Sequence, residues 1–358
     1  NSVYGATDEA YIADIYYAAS AQIVAKAAAV LGLEETRQNY QAIADRQWQV
    51  VKEEYFTATG RCAVKTQTGL VLALKYHLSD NERLTEQMLR KLLRDNKNKL
   101  NTGFVGTPLL CNVLTEHGMT DLAYRLLLNE EYPGWLHEVK LGATTVWERW
   151  NSLDENGRIS STGMNSLNHY SYGAVLEWIF RHVAGIDVTE QGPGGKMMRI
   201  SPKVDHKLGS ASAVYDSASG CYRCGWQIEN GDQITVTITV PFGAKAQVIL
   251  PYAPDSVYHD TDNPLFETVE NGICCVKAGQ YTVTYKAASP LKKSYSVDST
   301  LEDLLAEPAI RAFLSNMMEV DMIPDLAYGL TLRQAAEAFA GGVSAEQAQR
   351  LNVLLEEF

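Results

Sequence analysis

The 358-residue sequence predicts a mixed α and β multidomain chain: a toroid of helical hairpins, then an antiparallel β-sandwich, then a small C-terminal helical module. Three observations carry this expectation. Apolar residues recur at helical spacing up to about residue 185. After Gly192-Pro193-Gly194-Gly195 the period falls from 3.6 to 2, and from about Ser299 helical spacing returns. The expected divisions are residues 1–190, 191–290 and 291–358.

In the first part Ile12, Ile15, Tyr16, Ala19, Ile23, Ala27 and Val30 line one side of a helix from Glu9 to Leu31, stopped by Gly32. A second helix spans about Glu35 to Phe56 and a third Thr66 to Leu78. Ser79 and Glu82 have capping-box spacing for a fourth. Phe104 to Glu116, Thr120 to Leu128 and Asn165 to Val183 give three more, and Tyr132 to Thr162 is left as a loop long enough to carry a site. No fixed repeat period links these helices, which favours a ring of hairpins around one cavity over a solenoid.

In the second part Ile234, Val236, Ile238 and Val240 alternate with three threonines, the pattern of a strand half buried against a second layer. Asn230-Gly231 and Asn271-Gly272 predict hairpin turns. Further strands are expected near 197–201, 211–216, 221–228, 244–250, 265–270, 273–277 and 280–286. The third part has capping-box spacing at Ser299 and Glu302, Thr331 and Gln334, and Ser344 and Gln347. It carries no chemistry and is expected to be a packing or interaction module.

A net charge of -12 argues against nucleic acid or an anionic membrane surface as partner. No stretch is apolar enough to span a bilayer. The chain opens at Asn1 with no leader pattern, which carries no weight on export without an initiating methionine. Six cysteines without a pairing scheme lean toward a cytoplasmic setting. Cys221 and Cys224 have redox or zinc spacing, but strand alternation puts their sulfurs on opposite faces, and no second pair completes a metal site. No cofactor is expected.

The chemistry concentrates in Gly142-Ala143-Thr144-Thr145-Val146-Trp147-Glu148-Arg149-Trp150 and in Met164-Asn165-Ser166-Leu167-Asn168-His169-Tyr170. An aromatic face packs on the C–H face of a pyranose, and a carboxylate among indoles loses solvation, which tunes it for proton transfer. In an extended segment Glu148 would lie beside Trp150, with Trp147 and Arg149 on the other side. The same residue types also fit a plain alternative, in which Glu148 pairs with Arg149 and both tryptophans fill a core. His169 fits a hydrogen-bonded helix entry as well as a sugar contact, and Trp135 fits a loop anchor as well as a platform.

These two motifs, with Gly173, Glu177-Trp178 and Ala184-Gly185-Ile186, closely resemble the bacterial α-L-rhamnosidases of glycoside hydrolase family 78. Thr102-Gly103-Phe104-Val105-Gly106-Thr107-Pro108 and Asp121 to Leu127 are similar to that family's preceding segment. The resemblance spans roughly residues 5 to 290 and implies an (α/α)6 toroid followed by a β-sandwich. It also implies release of terminal α-L-rhamnose with inversion, from a rhamnose-containing glycoside or polysaccharide. Glu148 matches the family's general base, and His169 a residue that contacts the sugar. Trp147, Trp150 and Asn165 are expected to bind substrate beside them.

One departure matters. The family's general acid lies upstream of anything in this chain, and Asp154 and Glu155 sit in a polar loop where solvation is the ordinary expectation. The chain therefore reads as a partial toroid, in which uncovered helix faces predict homodimerisation or poor solubility. A non-catalytic carbohydrate-binding or assembly module, or another helical-toroid glycosidase or lyase, are the alternatives.

Overall fold

Local capping sets the first helix where the spacing places it. In a computed structural model, described over residues 6–154, 156–160, 165–260, 262–317, 319–339 and 341–356, α1 spans Glu9–Leu31. The Asp8 carboxylate accepts from the Tyr11 amide, and Gly32 closes the helix at φ 70°. Then follow α2 (Glu34–Tyr55), α3 (Gln67–Lys75), α4 (Glu82–Asp95), α5 (Thr107–Glu116) and α6 (Thr120–Leu127). They pair in sequence as three antiparallel hairpins, α1 with α2, α3 with α4 and α5 with α6.

Burial sorts the hairpins into layers. Leu70 to Leu74 of α3 are all fully buried, and so in effect are Leu110 to Leu114 of α5. A helix apolar all round belongs inside, and these two pack on one another. Gly106 makes their starts fit: a Cβ there would stand 2.3 Å from Thr68 Oγ1. In α4 the buried positions form a narrow stripe, Thr85, Leu89 and Leu93, as an outer helix requires.

Several expectations shift. Asn81, not Ser79, caps α4; the Ser79 hydroxyl instead donates to Gly60 O at 2.6 Å and accepts from the Asn81 amide. A short α7, Trp135–Lys140, lies inside the expected loop. Residues 165–170 are not helical: their neighbours in the Glu148 loop take their backbone bonds. A 3-10 turn over Ser171–Ala174 leads instead into α8 (Val175–Trp178) and a π turn over Ile179–Val183. Met164 and Glu155 lie outside the described residues.

The strands β1 (Ile186–Val188), β2 (Met197–Ile200), β3 (Ser210–Ser217), β4 (Gly220–Glu229), β5 (Gln233–Val240), β6 (Lys245–Val248), β7 (Val269–Glu270), β8 (Ile273–Val276) and β9 (Gly279–Lys286) form two sheets, ordered β1-β2-β6-β8-β7 and β3-β4-β5-β9. All neighbours are antiparallel except β2 and β6. Both Asn-Gly turns have positive φ at each residue, 51° and 81° at Asn230-Gly231 and 51° and 72° at Asn271-Gly272, the pattern that matches strand twist. Tyr222, Trp226, Ile234, Val236 and Ile238 fill the inner face. The Trp226 indole donates to Val183 O at 2.7 Å, tying this face to the last helical turn. All six cysteines are free thiols, Cys224 and Cys274 buried and Cys275 exposed.

The chain separates into two compact units, Asn1–Ala287 and Ala288–Phe358. The second packs α9 (Leu301–Ala306), α10 (Pro308–Ser315), α11 (Leu332–Phe339) and α12 (Ala345–Glu356) around Leu301, Leu304, Ile310, Leu314 and Leu355. Thr331 with Gln334 and Ser344 with Gln347 form reciprocal capping boxes at 2.9–3.2 Å. At α9 the cap falls one residue later than expected, on Thr300, which accepts from the Asp303 amide.

Candidate active site

Two irregular segments clasp one another at the entry to the last helix of the first unit. The Glu148 amide donates to Ser166 O at 2.9 Å, and the His169 amide to Val146 O at 2.8 Å. The Thr145 hydroxyl donates to Leu167 O. Ser152 locks the far end. Fully buried, it donates through Oγ to Asn165 Oδ1 at 2.6 Å, while Asn165 Nδ2 donates to Ser152 O at 2.9 Å. The amide of Asn165 thus serves the clasp itself. Asn165→Ala is expected to destabilise the first unit by about 1–3 kcal/mol by orphaning the Ser152 groups. Urea unfolding followed by tryptophan fluorescence checks this, and an unchanged midpoint would contradict it.

Glu148 is half buried, and its Oε2 accepts from the Ser166 amide at 2.7 Å. Among the described residues Oε1 has no hydrogen-bond donor, so one oxygen fixes the carboxylate and the other can accept a proton. A carboxylate so held keeps its orientation without losing its basic site.

The alternation of an extended segment is not observed, because the chain bends at Glu148 and Arg149 and turns from Trp150, where the Ser152 amide donates to Arg149 O at 3.1 Å. Both indoles therefore face inward, Trp147 with 3% and Trp150 with 4% of its surface exposed. Trp150 stacks on Tyr172 with centroids 4.0 Å apart and meets Trp135 edge-on at 5.4 Å. Trp135 donates through Nε1 to Tyr172 O at 2.9 Å, which makes it an anchor of this wall. The tryptophans form the rigid back of the Glu148 loop.

Exposed aromatic surface lies instead around His169. Its ring stacks between Phe104, at 5.0 Å and 15°, and Tyr170, at 5.3 Å and 17°. Phe104 is 47% and Tyr170 85% exposed. The Ser171 amide donates to His169 Nδ1 at 3.3 Å, which places the proton of a neutral imidazole on Nε2, as a donor for a hydroxyl. Phe104, expected as the first residue of a helix, lies in the turn before α5. Its signal was an aromatic flanked by glycines just ahead of an inner helix. Asp154 is a turn residue: Oδ1 accepts from the Asn156 and Arg158 amides, both at 2.9 Å. Among the described residues no group of three or more His, Cys, Asp or Glu side chains is placed to hold a metal.

Three helical hairpins thus lead into a loop that presents a half-buried carboxylate, and the segment clasped to that loop carries the stacked His169. Residues 1–183 match the bacterial alpha-L-rhamnosidase 6 hairpin glycosidase domain, and residues 185–263 the bacterial alpha-L-rhamnosidase C-terminal domain. The chain belongs to the bacterial α-L-rhamnosidase family. It is 36% identical over 270 residues to an alpha-L-rhamnosidase of Formosa agariphila and 35% over 283 to one of an Alteromonas species. These matches cover 75% and 77% of this chain but 29% and 30% of the relatives, so the chain spans under a third of their length. The crystal structure of a Streptomyces avermitilis alpha-L-rhamnosidase complexed with L-rhamnose superposes with a TM-score of 0.70 at 32% identity, covering 77% of this chain and 27% of that one.

Proposed function

We propose that this chain carries the general base and part of the sugar-binding wall of an inverting α-L-rhamnosidase, acting on a rhamnose-containing glycoside or polysaccharide. The observation that carries the reading is the Glu148 carboxylate, fastened through one oxygen to the Ser166 amide and open at the other. Glu148 takes a proton from water as that water attacks the anomeric carbon, while an acid on the opposite face protonates the leaving oxygen. About 6.5–9.5 Å between the two carboxyl groups leaves room for the water. No carboxyl here matches the family's acid, and the proposal assigns it outside these 358 residues. The isolated chain should therefore bind sugar but hydrolyse it poorly.

His169 donates through Nε2 to a sugar hydroxyl, and Phe104 and Tyr170 hold its ring and offer apolar surface. Trp147 and Trp150 act from behind, by fixing the loop, and Asn165 by closing it. In this reading residues 1–190 supply catalysis, 191–290 brace the last helical turn, and 291–358 are an appended module. Exposed apolar side chains on α1 at Tyr17, Ile23, Val30 and Leu31 favour association through that face. The test is hydrolysis of an aryl α-L-rhamnoside by the complete protein and its loss on Glu148→Gln.

A further inference from the structure

The chemistry above makes no use of a cavity of about 340 Å³ in the first unit. It lies between Lys65, just ahead of α3, the end of α4 at Leu92, Asp95 and Asn96, and Asn101 in the loop before α5. That loop joins it to the candidate active site. The Asn101 amide donates to Gln67 Oε1 at 2.8 Å, Thr102 O accepts from the Trp150 indole at 3.4 Å, and Phe104 stacks on His169 at 5.0 Å. The backbone from Asn101 to Phe104 reaches at most about 11 Å, so the cavity wall and the His169 stack are neighbours.

The wall is preformed. Gln67 is only 3% exposed, and its amide bridges the loop backbone: Nε2 donates to Lys99 O at 3.0 Å while Oε1 accepts from Asn101. Asn96 Nδ2 donates to the same Lys99 carbonyl at 2.8 Å. Among the described residues Asn96 Oδ1 has no donor and the Lys65 ammonium has no partner, and both residues line the cavity. Lys65 and Asp95 balance in charge. The volume falls in the range of about 300–1,000 Å³ of small-ligand sites, and a lining of amides and balanced charges suits a neutral ring rich in hydroxyls. We propose that this cavity is a second sugar subsite, which takes the ring linked to the terminal rhamnose. Hydroxyls of that ring donate to Asn96 Oδ1 and accept from Lys65 Nζ. The subsite rests on the reading of Glu148 and His169 as a rhamnose site, and it specifies a substrate of at least two sugar rings.

Calorimetric titration of the 358-residue chain with L-rhamnose and with two rhamnosyl-glucose disaccharides, rutinose and neohesperidose, tests this. At least one disaccharide should bind about tenfold tighter than L-rhamnose, the gain that one or two added hydrogen bonds supply. Lys65→Ala combined with Asn96→Ala should cut that gain to less than about threefold and leave the affinity for L-rhamnose within about twofold. Urea unfolding followed by tryptophan fluorescence reports whether the variant is folded. Should it fail to fold, Lys65→Ala alone, at an exposed position, should cut the gain by about threefold and decides in its place. Neither disaccharide favoured over L-rhamnose, or a gain kept in full by the variants, overturns the subsite and leaves the reading of Glu148 and His169 in place. His169→Ala should weaken all three sugars by about tenfold. If it weakens none, the rhamnose site itself fails, and the subsite with it.

Discussion

Glu148→Gln in the complete protein is expected to lower kcat for an aryl α-L-rhamnoside by about a thousandfold, with KM changing by less than about tenfold. Glutamine keeps the size of the side chain and can still accept from the Ser166 amide, which Oε2 does at 2.7 Å, so the clasp with residues 165–170 should survive. What is lost is the basic oxygen. General base catalysis contributes about 10²–10⁴ in rate, and its removal leaves sugar binding in place. A group acting only in the transition state lowers kcat and kcat/KM together. Unchanged turnover would remove Glu148 from the mechanism.

The second large effect is on stability. Burial on α7, where only 4% of it is exposed, pushes the Glu138 carboxyl up to about 8 from an ordinary 4.5, so folding takes up a proton between those limits. The sign follows: below about pH 4.5 the raised group costs nothing, and the cost grows as pH rises, reaching its full size above about pH 8. Glu138→Gln, which cannot ionise, should match the unmodified chain at about pH 4.5 and exceed it by a few kcal/mol near pH 8.5. Urea unfolding of both proteins at the two pH values measures the difference. Equal stabilities at the higher pH would show that the carboxylate is relieved by solvent or a cation.

Where a local rule decides the backbone, the chain can be read directly. Asp8 and Gly32 bound α1, the Asn-Gly pairs make both predicted turns, and Thr331 and Ser344 cap the helices they precede. Two of the misreadings come from competition by residues distant in sequence. Asn165 to Tyr170 have helical composition, but their backbone groups bond Val146 and Glu148. Ser79 would cap α4, but Gly60 O captures its hydroxyl. At six and three residues α7 and β1 are too short for a period to show.

The same division holds at the site. Glu148 and His169 are visible in their motifs because unusual residue types crowd together. The inward turn of Trp147 and Trp150 is not, since it depends on a bend stabilised by Ser152 and Asn165. Nor is the stacking of Phe104 on His169, which the α5 entry brings from another hairpin. The burial of Glu138 was hidden with α7, although its spacing from Trp135 would have marked it once the helix was known.

The account rests on Glu148 serving the water side of the anomeric carbon, and the products formed by Glu148→Gly of the complete protein in azide test that most directly. Azide needs no base and fits the space vacated by the side chain. Proton NMR of the product from an aryl α-L-rhamnoside should show the inverted β-L-rhamnosyl azide, in a reaction that stops without azide. An α-configured azide, or azide-independent hydrolysis at the rate of the unmodified enzyme, would contradict it.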